Sequence, residues 1–170
     1  DYFKEEFEEF ILNSKNYQYY PDDDNFILNL FIKPRDDKRF NILNIASSLK
    51  KFTVPSLATS IEQDVFNGCF KLEKVVFESK NLRTIERNSF KGCSSLTEIE
   101  IQSSVRLIGD CAFCGCSSLK KVSFNNPESA IELGTDCFKG CSSLTEILIP
   151  NSLTSNILGC FNGCSSLNEI

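Results

Sequence analysis

Residues 90–99 read FKGCSSLTEI, and residues 138–147 read FKGCSSLTEI again, letter for letter. A ten-residue phrase spelled twice is either a chemical motif used twice or one structural brick laid repeatedly. Aligning every Phe that is followed two residues later by Gly decides between them. Phe66, Phe90, Phe113, Phe138 and Phe161 emerge, spaced by 24, 23, 25 and 23 residues. Three residues after each comes a cysteine (Cys69, Cys93, Cys116, Cys141, Cys164), and three residues later a leucine or its equivalent (Leu72, Leu96, Leu119, Leu144, Leu167). A period this regular is the signature of a solenoid and takes precedence over local secondary-structure reading. Catalytic sites are not built in arrays, so the brick reading wins.

Weaker copies precede the clear ones. Leu43, Ala46 and Leu49 take the Phe, Cys and Leu places, and Ile27, Leu30 and Ile32 stand 22 residues before Leu49, Phe52 and Val54. Each unit has two parts. After the Leu comes a short alternating stretch such as Leu96-Thr-Glu-Ile99-Glu-Ile101, which predicts a short strand with one face buried. The Phe-x-Gly-Cys-Ser-Ser-Leu return repeats apolar residues every three positions, which predicts a helical or 3₁₀ turn with one face inward. Stacking brings Ile99, Val122 and Ile147 into register as a parallel sheet, with the Phe residues laddered inside.

The fold class read from this pattern is α/β. It is a solenoid with a parallel sheet of short strands and short helical or 3₁₀ turns between them. The units resemble the BspA-like, or treponemal-type, leucine-rich repeats. Ile108-Gly109-Asp-Cys-Ala112-Phe113-Cys-Gly-Cys116-Ser-Ser-Leu119 follows that pattern almost fully, and Ile61, Ile85 and Leu133 hold its Ile place elsewhere. Asn156 departs from it before Phe161, where Ile157 takes over by a one-residue shift. The resemblance covers residues 26–170. It implies a curved, non-catalytic leucine-rich-repeat solenoid, with a concave parallel sheet and short helical or 3₁₀ turns on the convex side, of the kind described as surface antigens or adhesins that bind other proteins.

The ends read differently. In residues 1–13, DYFKEEFEEFILN, Phe3, Phe7, Phe10 and Ile11 fall at helical spacing with Glu5, Glu6, Glu8 and Glu9 on the other face. The expectation is a helix capping the solenoid, followed by an acidic turn at 20–25, so that residues 1–25 form an N-terminal cap and 26–170 the solenoid. The sequence opens on Asp1 and closes at Asn168-Glu169-Ile170 inside an expected strand. This reads as a piece of a longer chain, or as an end covered by a partner or further repeats.

Composition narrows the function. The chain has 170 residues, a net charge of −5 and no His. An acidic chain without a basic tract is a poor ligand for nucleic acid. Lack of His removes the commonest general base and zinc nitrogen ligand. No Gly-rich phosphate loop or nucleophile elbow is present. No apolar run is long enough to insert in a membrane. Neither an enzyme activity nor a cofactor is expected.

The nine cysteines invite a metal reading at Cys111, Cys114 and Cys116, but Cys-x₂-Cys-x-Cys lacks the paired spacing of a zinc site. The simpler reading is a buried thiol ladder, with Cys137 and Cys160 filling a place that elsewhere holds Val65, Ser89 and Ala112.

The candidate binding surface is the outward side of the strands: Lys74, Val76, Glu98, Glu100, Lys121, Ser123, Glu146 and Leu148. Lys74, Glu98, Lys121 and Glu146 alternate in sign from unit to unit, which suits either cross-strand charge pairing or a mixed-charge docking strip. Two functions stay open. One is a protein-interaction module, placed at the cell surface by the resemblance. The other is an architectural scaffold inside an intracellular, for example cytoskeletal, assembly. Free thiols and the lack of any Asn-x-Ser/Thr glycosylation site fit the second.

Overall fold

The computed structural model describes the backbone of residues 18–22 and 25–29 and, with side chains, residues 49–54, 56, 58–125, 130–150 and 159–168. The expected capping helix and the Asn156 register shift fall outside the described residues.

The first described element is not a repeat. Strands β1 (Gln18–Asp22) and β2 (Asn25–Asn29) form an antiparallel hairpin, with Tyr20 opposite Ile27. Tyr20–Asp22 and Asn25, expected in an acidic turn, lie in the two strands. Leu30 and Ile32, aligned by phase with Phe52 and Val54, fall outside the described residues. The alternation of Tyr19, Pro21 and Phe26, Leu28 on either side of the Asp-rich residues 22–24 is a hairpin pattern, and the repeat phase had concealed it.

The stack follows. Strands β3 (Lys51–Val54), β5 (Lys74–Phe77), β7 (Glu98–Ile101), β9 (Lys121–Phe124) and β11 (Glu146–Ile147) take the same place in successive units. They pair in parallel as β3 with β5 and as β7 with β9 with β11, with β5 and β7 side by side between the two groups. Ile99, Val122 and Ile147 are in register, as the spacing predicts. A second parallel sheet runs along the stack from the Ile place: β4 (Ser60–Ile61), β6 (Thr84–Ile85), β8 (Leu107–Ile108) and β10 (Glu132–Leu133). Two-residue strands are too short to show an alternation, so the pattern gave no warning of this sheet.

The return segment differs from expectation. Among the described residues there is no helix. Cys111, Phe113 and Gly115 donate their N–H groups to Thr135, Cys137 and Lys139 of the next unit at 2.9, 2.7 and 2.7 Å. The alternate residues Ala112, Cys114 and Cys116 donate back three positions, to Gly109, Cys111 and Phe113, at 3.2, 3.1 and 3.2 Å. The segment is therefore a ribbon of linked turns whose every second amide belongs to the neighbouring unit.

Its backbone explains why no helix forms. Cys111 and Gly115 hold φ at +54° and +76°, and Asp64/Gly68, Asn88/Gly92 and Asp136/Gly140 repeat the pair. Left-handed residues four apart interrupt any right-handed run, and Gly and Asx residues are the types that adopt them most readily.

The interior is one cluster from Leu49 to Cys164. The rings of Phe66, Phe90, Phe113, Phe138 and Phe161 form a continuous stack, with centroids 5.0, 5.2, 5.3 and 5.6 Å apart and planes within 14° of parallel. Phe52 extends the stack with a tilted contact at 4.6 Å. Centroid distances of this size are those of favourable aromatic pairs, which add about 0.5–1.5 kcal/mol each beyond burial. No helix among the described residues is long and apolar enough to cross a membrane.

Candidate functional site

Pleating sends alternate strand side chains to opposite faces. In β7, Ile99 and Ile101 are buried while Glu98 and Glu100 are exposed. Parallel register then turns each outward position into a column. Glu98, Lys121 and Glu146 are register partners in one, and Glu100 stands beside Ser123 in the next. At the other end Lys51 faces Lys74, and Thr53 faces Val76. Of the eight expected surface residues, Lys74, Glu98, Glu100, Lys121, Glu146 and Leu148 are exposed and Val76 and Ser123 are half-buried. Thr53, in the same column as Val76, is buried, and β2 packs beside its strand.

The charge alternation is used in one place for pairing. Lys121 Nζ lies 2.9 Å from Glu146 Oε1, with half of each side chain in solvent. An exposed pair of this kind contributes about 0.2–1 kcal/mol, so the column does little to hold the stack and its charges stay accessible. Lys51 beside Lys74 is a like-charge juxtaposition, which disfavours the fold slightly.

Two large apolar side chains are exposed among the described residues, Leu148 at 67% and Phe70 at 48%. Leu148 was expected on the surface. Phe70 was missed, although the sequence carries a signal: its unit reads Cys69-Phe70-Lys71 where the later units read Cys-Ser-Ser. Lys71 Nζ sits 5.9 Å from its ring centroid, a cation–π contact at a corner between ribbon and strand.

The cysteines divide into two groups. Seven are buried, and Cys111 and Cys114 are half-buried. All nine are free thiols. The ladder thiols are more than space fillers: Sγ of Cys93, Cys116, Cys141 and Cys164 each donates to the carbonyl of the Phe one unit earlier, at 3.2 Å in every case. Burial pushes the thiols of Cys69 and Cys116 up to about 12. Cys137 is raised by its hydrogen bond to Cys160 and by burial, and that same bond holds Cys160 down at about 7. Among the described residues no group of three or more Cys, Asp or Glu side chains is placed to hold a metal ion.

The repeat has its counterpart in a known family. Residues 42–168 match the BspA type leucine-rich repeat region in six copies. The chain belongs to the BspA-type leucine-rich repeat family. The match starts at the unit of Leu43, Ala46 and Leu49, the decayed copy found by phase alone.

Solved leucine-rich repeat structures are similar. A leucine-rich repeat protein of T. pallidum is 28% identical with a TM-score of 0.64, the similarity covering 91% of this chain and 67% of that one. A leucine-rich repeat protein from Bacteroides ovatus is 31% identical with a TM-score of 0.53, covering 58% of this chain and 24% of that one. Among curated proteins none matches the sequence. Leucine-rich repeats of this type are protein-interaction modules in general.

Proposed function

We propose that the chain is a non-catalytic protein-binding module that engages its partner through the outward face of β5, β7, β9 and β11. One observation carries this reading: the inward strand residues hold the units together, while Glu98, Glu100, Lys121, Glu146 and Leu148 stand exposed in aligned columns. Aligned columns of mixed charge with an apolar margin at Leu148 select a partner by electrostatic complementarity.

The second reading, an architectural component held permanently in an assembly, uses the same face. The seven buried free thiols favour it, because such a ladder persists most readily in a reducing compartment.

The test compares three proteins as bait in extract of the source cells: wild type, Glu98→Lys/Glu146→Lys on the strand face, and Glu132→Lys on β10. Retention of discrete captured proteins by wild type and Glu132→Lys, with loss from the double variant, is the expected result. Retention by the double variant with loss from Glu132→Lys would move the binding surface to the second sheet.

A further inference from the structure

The third unit differs from its neighbours on the turn ribbon. It carries two half-buried cysteines, in the order Cys111-Ala112-Phe113-Cys114, and they are the cysteines left outside the interior. Cys114 N donates to Cys111 O at 3.1 Å, so the four residues form one hydrogen-bonded turn. A β-turn brings its first and last Cα atoms within about 7 Å, close to the span of about 4.4–6.8 Å that a disulfide needs.

The equivalent turns show where the two side chains point. In the first clear unit, Asn67 Nδ2 donates to Asp64 Oδ1 at 3.1 Å. In the fourth, Lys139 Nζ meets Asp136 Oδ2 at 3.0 Å. The first and last side chains of this turn thus reach one another across it. The left-handed first position is held elsewhere by Asp64, Asn88, Asp136 and Gly159. Those residue types suit positive φ, whereas a cysteine has no such preference, so the backbone gives no reason for Cys111. Ala112 and Phe113 are fully buried between the two cysteines and fix the turn.

We propose that Cys111 and Cys114 form a surface dithiol site that takes a low-molecular-weight disulfide of the glutathione type and closes into an intrachain disulfide. The reaction balances as exchange. The thiolate of one cysteine attacks a sulfur of the small disulfide, breaking its S–S bond and releasing one small thiol. The second cysteine gives up its proton and attacks the mixed disulfide, forming the Cys111–Cys114 bond and releasing the second small thiol. Two protein thiols are oxidised, one small disulfide is reduced to two thiols, and the two cysteine protons end on the leaving thiolates.

The surroundings set the rate and direct the approach. Burial, then Cys111, and in smaller part Asp136 hold the Cys114 thiol above its ordinary value, while Lys91 and Lys139 in the neighbouring units act in the opposite sense. The Lys91 ammonium attracts an anionic disulfide, whereas Lys139 is paired with Asp136 at 3.0 Å. The exchange therefore speeds up as pH rises from neutral.

The experiment uses the full reduced chain, incubated at pH 8 across a series of oxidised-to-reduced glutathione ratios. Samples are quenched with acid, denatured with N-ethylmaleimide and digested with trypsin. Cleavage after Arg106 and Lys120 releases one peptide carrying Cys111, Cys114 and Cys116. The expected product carries a single maleimide on Cys116 and is two hydrogen atoms lighter, with fragmentation placing the bond between Cys111 and Cys114. In Cys114→Ser, a glutathione adduct on Cys111 is expected to accumulate instead. Three maleimides on the wild-type peptide throughout the series, a lasting adduct without the internal bond, or a bond to Cys116 would each overturn the proposal.

Discussion

Phe113 shows at a single residue what repetition accomplishes. Its ring has no solvent exposure and is sandwiched between Phe90 at 5.2 Å and Phe138 at 5.3 Å. Removing it leaves a cavity closed on both sides by rings that cannot collapse into it without leaving their own stack. Phe113→Ala is expected to cost about 3–5 kcal/mol, seen as a fall in melting temperature on the order of ten degrees. A melt unchanged from wild type would displace the ring stack from the centre of the account.

The ladder thiols make a second prediction at this scale. Cys69 and Cys116 titrate near 12 in the folded chain against an ordinary value of 9.0. Above the ordinary value the unfolded chain releases thiol protons that the folded chain retains, so it binds fewer protons and stability falls as pH rises. The stabilisation is complete below about pH 8.5 and is lost progressively toward pH 12. The urea midpoint under reducing conditions should be lower at pH 10 than at pH 7.5, and Cys116→Ala should narrow the difference. Equal midpoints at the two pH values for wild type would contradict the buried thiol ladder.

At the scale of the element, the turn ribbon and the second sheet depend on how closely neighbouring backbones approach. Gly109 and Gly134 follow β8 and β10, and an added Cβ would lie 2.6 Å from Arg87 N and 2.5 Å from Gly109 C respectively. Both obstacles are backbone atoms of the previous unit, so the units themselves would have to separate. Gly68 has an unfavourable φ of +79° yet nothing within 4 Å of its added Cβ. Gly134→Ala should therefore destabilise by about 3 kcal/mol, more than the roughly 1–2 kcal/mol of left-handed strain expected for Gly68→Ala. Chemical denaturation of the two variants checks the order, and the reverse order would refute the close packing of units at Gly134.

Much of this scale was legible in the sequence. The Phe, Cys and Leu places, the strand after the Leu and the parallel register of Ile99, Val122 and Ile147 follow from period and alternation. The return was not legible because apolar residues every three positions fit a 3₁₀ turn and a chain of linked turns equally. Positive φ at Cys111 and Gly115 separates the two, and a cysteine gives no sign of it in sequence. The hairpin at 18–29 was hidden because Ile27 happens to fall in phase with the later repeats. On the candidate surface, exposure of Glu98, Glu100, Lys121 and Glu146 followed from alternation, whereas Phe70 stood where the repeat places a serine and was passed over.

Across the whole molecule, each unit lends its amides to the next and its ring to both neighbours, so stability belongs to the stack rather than to the unit. Interior units have two such neighbours. Hydrogen exchange should accordingly be slowest at Phe90 and Phe113, whose amides bond Ala112 and Cys137 at 2.8 and 2.7 Å, and faster in the Phe52 unit beside the hairpin. Uniform exchange along the stack would contradict this cooperativity.

The same stacking builds the proposed binding surface, because only a register shared by successive units aligns the outward columns. A photo-crosslinking residue placed at Ser123 on the strand face, and separately at Lys91 on the ribbon, tests that claim most directly in source cells. The account predicts a discrete protein crosslink from position 123 and none from position 91. A discrete crosslink from 91 with none from 123 would contradict it and assign binding to the turn ribbon.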